Sequence, residues 1–410
     1  MAQIFPLPMS HISPATQRSI LLLSFATFAS MVAQRVCDAM LPELSREFDV
    51  SLAQAAQVVS VFAVVYGLSQ LVYGPLGDRK GKYRIVALAT LACSVGCLMA
   101  VFAGSLNGLL TARVLVALGA AGIIPLSMAW IGDQVAYEHR QATLARVGLG
   151  TTLGLVGGQL AGGLFTDTVG WRWAFACLTL LFAIVGSLLW ADWRRQQAVP
   201  VPPGNDQPVV HPGFVKQSLM ILTGQWSRIV LVVALIEGAV GFGVMAIWPS
   251  HLHHELGLSL SASGAIVGLF GLGGLGYMLV AGRMIARLGE PGLVLGGVGL
   301  LGLSCLVLGF TPYWGLAALA SPVAGFGFFM FHNTMQINAT QMAPAARGTA
   351  VSLFAMGLFT GQSLGVMLAA TLTDRMGSGW VITLSGAVLF AVGAVFAQAL
   401  KRRDAFMHLE

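Results

Sequence analysis

The stretch Gly74-Pro75-Leu76-Gly77-Asp78-Arg79-Lys80-Gly81-Lys82-Tyr83-Arg84 decides how the rest of the sequence is interpreted. It is the densest cluster of charge in a chain of 410 residues of which only 9% are charged. Two long apolar runs, roughly 53–73 and 85–103, flank it. Because apolar runs joined by a short basic segment are typical of a membrane hairpin, we predict that this stretch is a loop on the cytoplasmic side.

Apolar runs of this kind recur along the whole chain, which is 56% hydrophobic and contains 51 glycines. Each run is about 20 residues long, which is enough for a helix to cross a bilayer. We therefore predict an all-α integral membrane protein rather than a soluble one. The twelve predicted spans lie near residues 18–40, 53–75, 85–104, 107–131, 142–165, 172–191, 228–249, 261–283, 291–311, 313–338, 348–371 and 380–400.

The positive charge of the chain is placed asymmetrically. If the N-terminus is inside, only Arg46, Arg172 and Arg375 of the 22 Lys and Arg residues fall outside, while Arg35 and Arg113 lie within spans. This bias predicts that both termini are cytoplasmic. The cell inner membrane is the expected location. It also accounts for the net charge of +6 without a nucleic-acid partner.

The chain repeats itself around a polar, Pro-rich stretch. A shift of 207 residues superimposes 140–173 on 347–380 with identical Arg, Gly, Thr, Asp and Trp residues, and a shift of 208 places the charged stretch on 282–289 with Ala286 in place of Asp78. Such repeats indicate two related six-helix bundles. We predict an N-terminal bundle at 1–192, a cytoplasmic linker at 193–220 and a C-terminal bundle at 221–410.

The charged stretch resembles the loop 2–3 signature of the major facilitator superfamily. Asp38 to Pro42 is similar to the first-helix motif of its drug:proton antiporter group, and Arg113 with Gly119 to the fourth-helix motif. The run from Gly154 to Gly163 is similar to the fifth-helix antiporter motif, except that the family has Pro where this chain has Gln159. The resemblance implies two pseudo-symmetric bundles that expose a central site to each side in turn. It also implies export, which the Gln159 departure weakens.

The charged stretch and the fifth-helix glycines are predicted to control the gate. Asp78 is expected at the positive end of a neighbouring helix, and Arg79 is expected to bridge to an acidic partner. Glycines spaced by four lie on one helix face and let a neighbouring backbone approach closely. The candidate gating residues are Gly74, Asp78, Arg79, Gly81, Arg84, Gly154, Gly158 and Gly162.

Charges inside the predicted spans are functional candidates, because an unpaired charge in a bilayer is costly. Asp38 and Arg113 are both expected in the outer halves of their spans, where they can meet. Such a pair would keep the carboxylate ionised, and separation of the pair would favour its protonation. We therefore predict that Asp38 and Arg113 carry proton coupling. The alternatives are a static ion pair and an Asp38 that is simply exposed at the membrane edge.

Arg35 lies three residues before Asp38, on the same helical face. It can neutralise Asp38, hold an anionic substrate, or reach the outer headgroups, and the sequence does not choose among these. Gln34 is grouped with Arg35 as a candidate substrate-binding residue.

Glu237 and His332 are predicted at a similar depth in the second bundle. A carboxylate and an imidazole at one level of a cavity can share a proton near neutral pH. Glu237 is therefore a candidate for both proton coupling and substrate binding, and His332, Asn333 and Gln336 are candidates for substrate binding. The alternatives are a packing histidine and a structural hydrogen bond.

No nucleotide-binding or nucleophile motif is present, so we predict a secondary transporter rather than an enzyme. The histidines 251, 253 and 254 are expected in a solvated outer loop, and neither metal nor cofactor is expected. The expected partners are a small-molecule substrate, protons and membrane lipids, and the protein is expected to be a monomer. Proton-coupled export is the leading interpretation, uptake of a small organic solute is the alternative, and a membrane sensor is a weaker one.

Overall fold

The computed structural model of the chain describes residues 13–197 and 214–407, and these residues are helical with short connections. In the first half the helices are α1 (Pro14–Arg35), α2 (Leu41–Glu47), α3 (Leu52–Ala55), α4 (Gln57–Lys80), α5 (Lys82–Val101), α6 (Leu106–Gln134), α7 (Tyr137–Thr168) and α8 (Trp171–Gln197). In the second half they are α9 (Phe214–Thr223), α10 (Gln225–Glu237), α11 (Trp248–Leu256), α12 (Leu260–Phe310), α13 (Trp314–Gln341), α14 (Arg347–Met376) and α15 (Ser378–Met407).

The twelve predicted spans are all helical in this structure. Ten helical segments of the described residues are long and apolar enough to cross a membrane. One of them, α12, is 51 residues long and contains two crossings, because Gly289 adopts a left-handed φ of 63° and Pro291 follows. The fifth predicted span is the 32-residue helix α7. The predicted all-helical membrane fold is therefore confirmed.

The internal repeat is visible in the packing as well as in the sequence. A methyl group on Gly154 of α7 would lie 2.5 Å from the Phe28 carbonyl oxygen of α1. In the second half, a methyl group on Gly361 of α14 would lie 1.9 Å from the Leu235 carbonyl oxygen of α10. Both partners are offset by 207 residues, like the glycines themselves. The same offset relates the contacts of Gly150 with Ser24 and Gly158 with Val32 to those of Gly357 with Leu231 and Gly365 with Ala239.

The two halves meet along two helix pairs, α7 with α12 and α4 with α14. In the first pair, Asp167 accepts hydrogen bonds from the Ser261 backbone N–H and hydroxyl, both at 2.6 Å. In the second pair, the Ser60 and Ser363 hydroxyls are 2.8 Å apart. At the opposite helix ends, a methyl group on Gly74 or Gly282 would meet no neighbouring atom within 4 Å. With the predicted orientation, the contact of Asp167 with Ser261 lies on the outer side, and the open space beside Gly74 and Gly282 lies toward the inner side.

Two boundaries differ from the predictions. The charged stretch is not a loop: α4 continues through Lys80, and only Gly81, with φ 88°, separates it from α5. The Gly81 N–H still bonds to the Gly77 carbonyl at 2.9 Å, so the helical pattern continues through the charged residues. The predicted linker is also partly helical, because α8 extends to Gln197 and α9 begins at Phe214. Residues 198–213 lie outside the described part of the chain.

Candidate functional site

Asp38 lies where the first membrane helix is interrupted. Helix α1 ends at Arg35, and Asp38 begins a single 3-10 turn that ends at Met40. The Asp38 side chain is completely buried. Its Oδ2 accepts a 2.7 Å hydrogen bond from Gln159 Nε2 on α7 and lies 3.5 Å from an Arg35 guanidinium nitrogen. The carboxylate is thus held by an amide and a cation inside the first half.

The predicted contact between Asp38 and Arg113 is wrong for this structure. Arg113 is fully buried, but its Nε donates to the Val58 carbonyl at 3.0 Å and a terminal nitrogen donates to the Ala33 carbonyl at 2.6 Å. Its guanidinium also stacks 4.1 Å from the centre of the Phe62 ring. The physical reason is the early end of α1. The Ala33 carbonyl lies in the last turn, where it has no backbone N–H partner within the helix and can accept from Arg113 instead.

Arg35 does not reach the outer headgroups, which removes one of its three predicted roles. It is 1% exposed, and its guanidinium lies 4.5 Å from the centre of the Phe242 ring in the second half. This is a cation–π contact, in addition to the ion pair with Asp38. Gln34, the neighbouring candidate, is buried too.

Glu237 and His332 are in direct contact. His332 Nδ1 lies 2.7 Å from Glu237 Oε1, and Glu237 is completely buried. Glu237 is the last residue of α10, immediately before a π-helical segment at Gly238–Gly243. Such segments interrupt regular helices frequently at functional sites. The two residues therefore share a buried hydrogen bond within the second half, with donor and acceptor set by the histidine tautomer.

Aromatic rings surround the imidazole of His332. Phe328 stacks on it with ring centres 5.4 Å apart, and Phe354 and Phe242 each lie 6.1 Å away. Phe242 thus contacts Arg35 on one side and His332 on the other. One continuous chain of contacts runs from Gln159 through Asp38, Arg35, Phe242 and His332 to Glu237, and it crosses from the first half to the second.

Several buried polar atoms in or beside this chain of contacts form no hydrogen bond within the described residues. The atoms are Gln34 Nε2, Arg35 Nε, one Arg113 terminal nitrogen, Asp38 Oδ1, Gln159 Oε1 and Glu237 Oε2. Buried polar groups are normally satisfied, and an unsatisfied one costs roughly 1–3 kcal/mol. This concentration of free donors and acceptors distinguishes the chain of contacts as a candidate site for protons and polar solute groups.

The remaining second-half candidates are less well placed. Asn333 is half-buried and Gln336 is exposed. Asn338, one turn nearer the inner end, is buried and bonds to Glu290 and Arg403. His251 was expected in a solvated loop, but it is buried in α11 and bonds to the Ser378 hydroxyl and the Leu308 carbonyl.

The charged side chains of the stretch pair with residues of the first half. The Asp78 carboxylate is 69% exposed and lies 3.5 Å from Lys82, which also bridges to Asp133 at 2.6 Å. Arg79 is exposed, and the Arg84 guanidinium lies 5.2 Å from the Trp193 ring centre. Asp78, Lys82, Arg84, Asp133 and Trp193 line a cavity of about 670 Å³ at the inner end of the first half. Asp78 thus pairs with the first residue of α5 in this conformation.

The predicted gating glycines of α7 form its contact with α1. A methyl group on Gly158 would lie 2.9 Å from Arg35 Cβ, and one on Gly162 would lie 2.1 Å from the Val36 carbonyl oxygen. Gly154 makes the same kind of contact one turn earlier. These close approaches bring α7 to the end of α1, which is why Gln159 can reach Asp38.

Sequence reasoning missed the roles of Gln159 and Phe242. Gln159 was noted only as a departure from a motif, although a lone amide in a run of glycines and apolar residues was a usable signal. Phe242 carried no signal as an ordinary aromatic residue. However, the offset of 207 pairs it with Arg35, which would have placed both at the same level of the two bundles.

Comparison with known proteins agrees with this architecture. The Major Facilitator Superfamily model matches residues 23–366 and 230–407. The inner membrane transport protein YnfM of Escherichia coli K12 is 25% identical, over 89% of this chain and 86% of its own length. An MFS-type efflux pump of Mycolicibacterium smegmatis is 27% identical, over 84% and 83%.

Solved structures share the fold. A bacterial homologue of the human lysosomal transporter Spinster, in an inward-facing and unoccupied conformation, superimposes with a TM-score of 0.75. The two share 19% sequence identity, and the match covers 95% of this chain and 98% of the homologue. The family match over most of the chain, together with the helical membrane fold and its internal repeat, shows that the protein belongs to the major facilitator superfamily.

Proposed function

We propose that this transporter exports a small organic solute across the cell inner membrane in exchange for protons. The observation that carries the proposal is the buried chain of contacts from Gln159 to Glu237. It places one carboxylate in each half and connects them across the interface through Phe242. Buried carboxylates with an unsatisfied oxygen are suited to binding and releasing protons as the halves move.

The arrangement of the halves supports alternating access. The contact of Asp167 with Ser261 holds the halves together near the outer ends, and the space beside Gly74 and Gly282 is open near the inner ends. A rocking motion that breaks the outer contacts and closes the inner ends would expose the central residues to the other side. The positive charge on the inner face supports cytoplasmic termini, and we propose a monomer as the working unit.

Export is the preferred direction because relatives include the efflux pump of M. smegmatis and the multidrug export protein EmrB of Haemophilus influenzae. The match to EmrB is 27% identical and covers 38% of this chain and 30% of EmrB. Proton-coupled uptake is the second candidate. It is favoured by Gln159, which replaces the proline of the antiporter motif, and by Arg35, which can attract an anionic solute.

The sign of a pH gradient distinguishes these candidates. A panel of organic cations, weak acids and neutral solutes is first screened for compounds that raise the unfolding temperature of the purified protein. The positive compounds are then tested for entry into proteoliposomes. Exchange for protons predicts entry driven by an acidic lumen, and joint uptake predicts entry driven by an acidic exterior. Equal entry under both gradients contradicts proton coupling, and binding without any flux indicates a sensor.

A further inference from the structure

Gln159 lies at the junction of three helices. Its amide reaches Asp38 beyond the end of α1, while its backbone carbonyl faces α12 of the second half. A methyl group on Gly264 of α12 would lie only 2.3 Å from that carbonyl oxygen. The side chain itself is completely buried. Any movement of α12 against α7 therefore acts on the residue that holds Asp38.

The hydrogen bonding between Asp38 and Gln159 is incomplete in a specific way. Gln159 Nε2 donates to Asp38 Oδ2, and this leaves Asp38 Oδ1 and Gln159 Oε1 as two buried acceptors without a donor. Two acceptors cannot bond to each other. One proton on Oδ1 would convert the carboxylate into an acid, whose O–H group can donate to the amide oxygen. A carboxylic acid and a primary amide then form two opposed hydrogen bonds.

We propose that Asp38 and Gln159 together form the proton-binding site of the transporter. The proton resides on Asp38 Oδ1 and is donated to Gln159 Oε1, while Nε2 continues to donate to Oδ2. One proton is taken up from one side and the same proton is released to the other, and no other covalent bond changes. This inference rests on the proposed proton coupling and specifies the pair of residues that holds the proton.

The two cations near the pair cannot accept a hydrogen bond from the Asp38 O–H group, so this acceptor role is left to Gln159. The Arg35 cation lies on the Oδ2 side of Asp38 and stacks on Phe242, and the Arg113 cation is engaged by the Ala33 and Val58 carbonyls. Other titratable side chains on the neighbouring segments include Cys37, which is buried beside Asp38, and His251, which bonds to Ser378 and Leu308. Glu43, Arg46 and Glu47 are paired near the outer end, Asp167 of α7 bonds to Ser261 of α12, and α11 also carries His253, His254 and Glu255 near its end.

The test is an infrared pH titration of the purified protein in detergent, with protons as the only ligand. The carbonyl stretch of a protonated carboxylic acid is assigned to Asp38 by its loss in Asp38→Asn. Gln159→Met removes both amide hydrogen bonds while keeping an unbranched side chain of similar size. In this variant we expect the Asp38 band to move to higher wavenumber, as for an acid whose O–H group lacks an acceptor.

Gln362→Met is the matched control, since Gln362 is a buried glutamine of α14 whose Oε1 is also unpaired. It should leave the Asp38 band where it is. If Gln159→Met does not fold, Gln159→Asn, which withdraws the amide by one methylene, should give the same upward shift. An unchanged band in both Gln159 variants, or no Asp38 acid band at any pH, overturns the proposed pair. The result is independent of flux, whereas failure of the proposed function appears as pH-independent transport in the wild type.

Discussion

At the scale of single residues, the first half holds a buried carboxylate whose charge is balanced by neighbours from three helices. Asp38 binds Gln159 and Arg35, and Arg113 contributes only from a distance. Removal of its charge should therefore act on coupling more than on folding. Asn resembles the protonated acid in size and in the loss of charge.

We predict that Asp38→Asn abolishes accumulation driven by a pH gradient and retains downhill exchange of solute. The measurement is flux and proton movement in proteoliposomes loaded with a compound from the thermal screen. Asp49→Asn is the control, because Asp49 is exposed and its φ of 51° is tolerated by Asn. Normal substrate-dependent proton movement in Asp38→Asn would exclude Asp38 and leave Glu237 as the remaining candidate.

In the second half, the bond between Glu237 and His332 depends on where one proton resides. We predict that Glu237→Gln changes the pH dependence of solute binding, because an amide cannot exchange a proton with the imidazole. Binding is measured by calorimetry between about pH 5 and pH 9, the range over which histidine and shifted carboxylates titrate. Glu290→Gln is the control, since Glu290 pairs with Arg403 near the inner end. Identical binding curves for Glu237→Gln and wild type would make Glu237 a structural residue.

At the scale of helices, the decisive element is the contact of α7 with α1. It depends on glycines whose hydrogens face backbone carbonyls, so that even one methyl group must push the helices apart. The same contact in the second half joins α14 to α10 through glycines at the same offset. Small residues drive close packing of membrane helices in the absence of a hydrophobic effect between them.

We predict that Gly162→Ala destabilises the protein, because the added methyl group would lie 2.1 Å from the Val36 carbonyl oxygen. Overpacking of this kind costs about 1–3 kcal/mol. Gly148→Ala on the same helix meets no atom within 4 Å and should be neutral or slightly stabilising. Thermal unfolding in detergent compares the two. Equal unfolding temperatures would show that α7 can move away from α1 without loss.

At the scale of the whole molecule, the outer closure is asymmetric. Asp167 at the end of α7 binds the first residues of α12, where the helix N-terminus favours a negative charge. Its counterpart in the repeat, Asp374, is exposed and forms no such bond within the described residues. One carboxylate therefore connects the two halves on the outer side, and it must release α12 when that side opens.

We predict that Asp167→Asn shifts the population toward the outward-open state, because it removes the negative charge beside the N-terminus of α12, an interaction worth about 0.3–1 kcal/mol at an exposed position. Spin labels at the exposed positions Val169 and Ala265 report the distance between α7 and α12. A larger fraction of long distances is expected in Asp167→Asn and not in Asp374→Asn. The same distance distribution in wild type and both variants would show that Asp167 does not hold the outer side closed.

The sequence by itself determined the membrane fold, the family and the repeat, because span length, glycine spacing and charge asymmetry are local properties that a bilayer constrains strongly. It also identified Asp38, Glu237 and His332 as buried charged or titratable residues. Their partners were decided only by the tertiary structure. Arg113 binds carbonyls instead of Asp38 because α1 ends at Arg35. Gln159 binds Asp38 because the glycines of α7 approach α1 closely. Such contacts depend on the relative positions of helices that are far apart in the chain, and no local pattern encodes those positions.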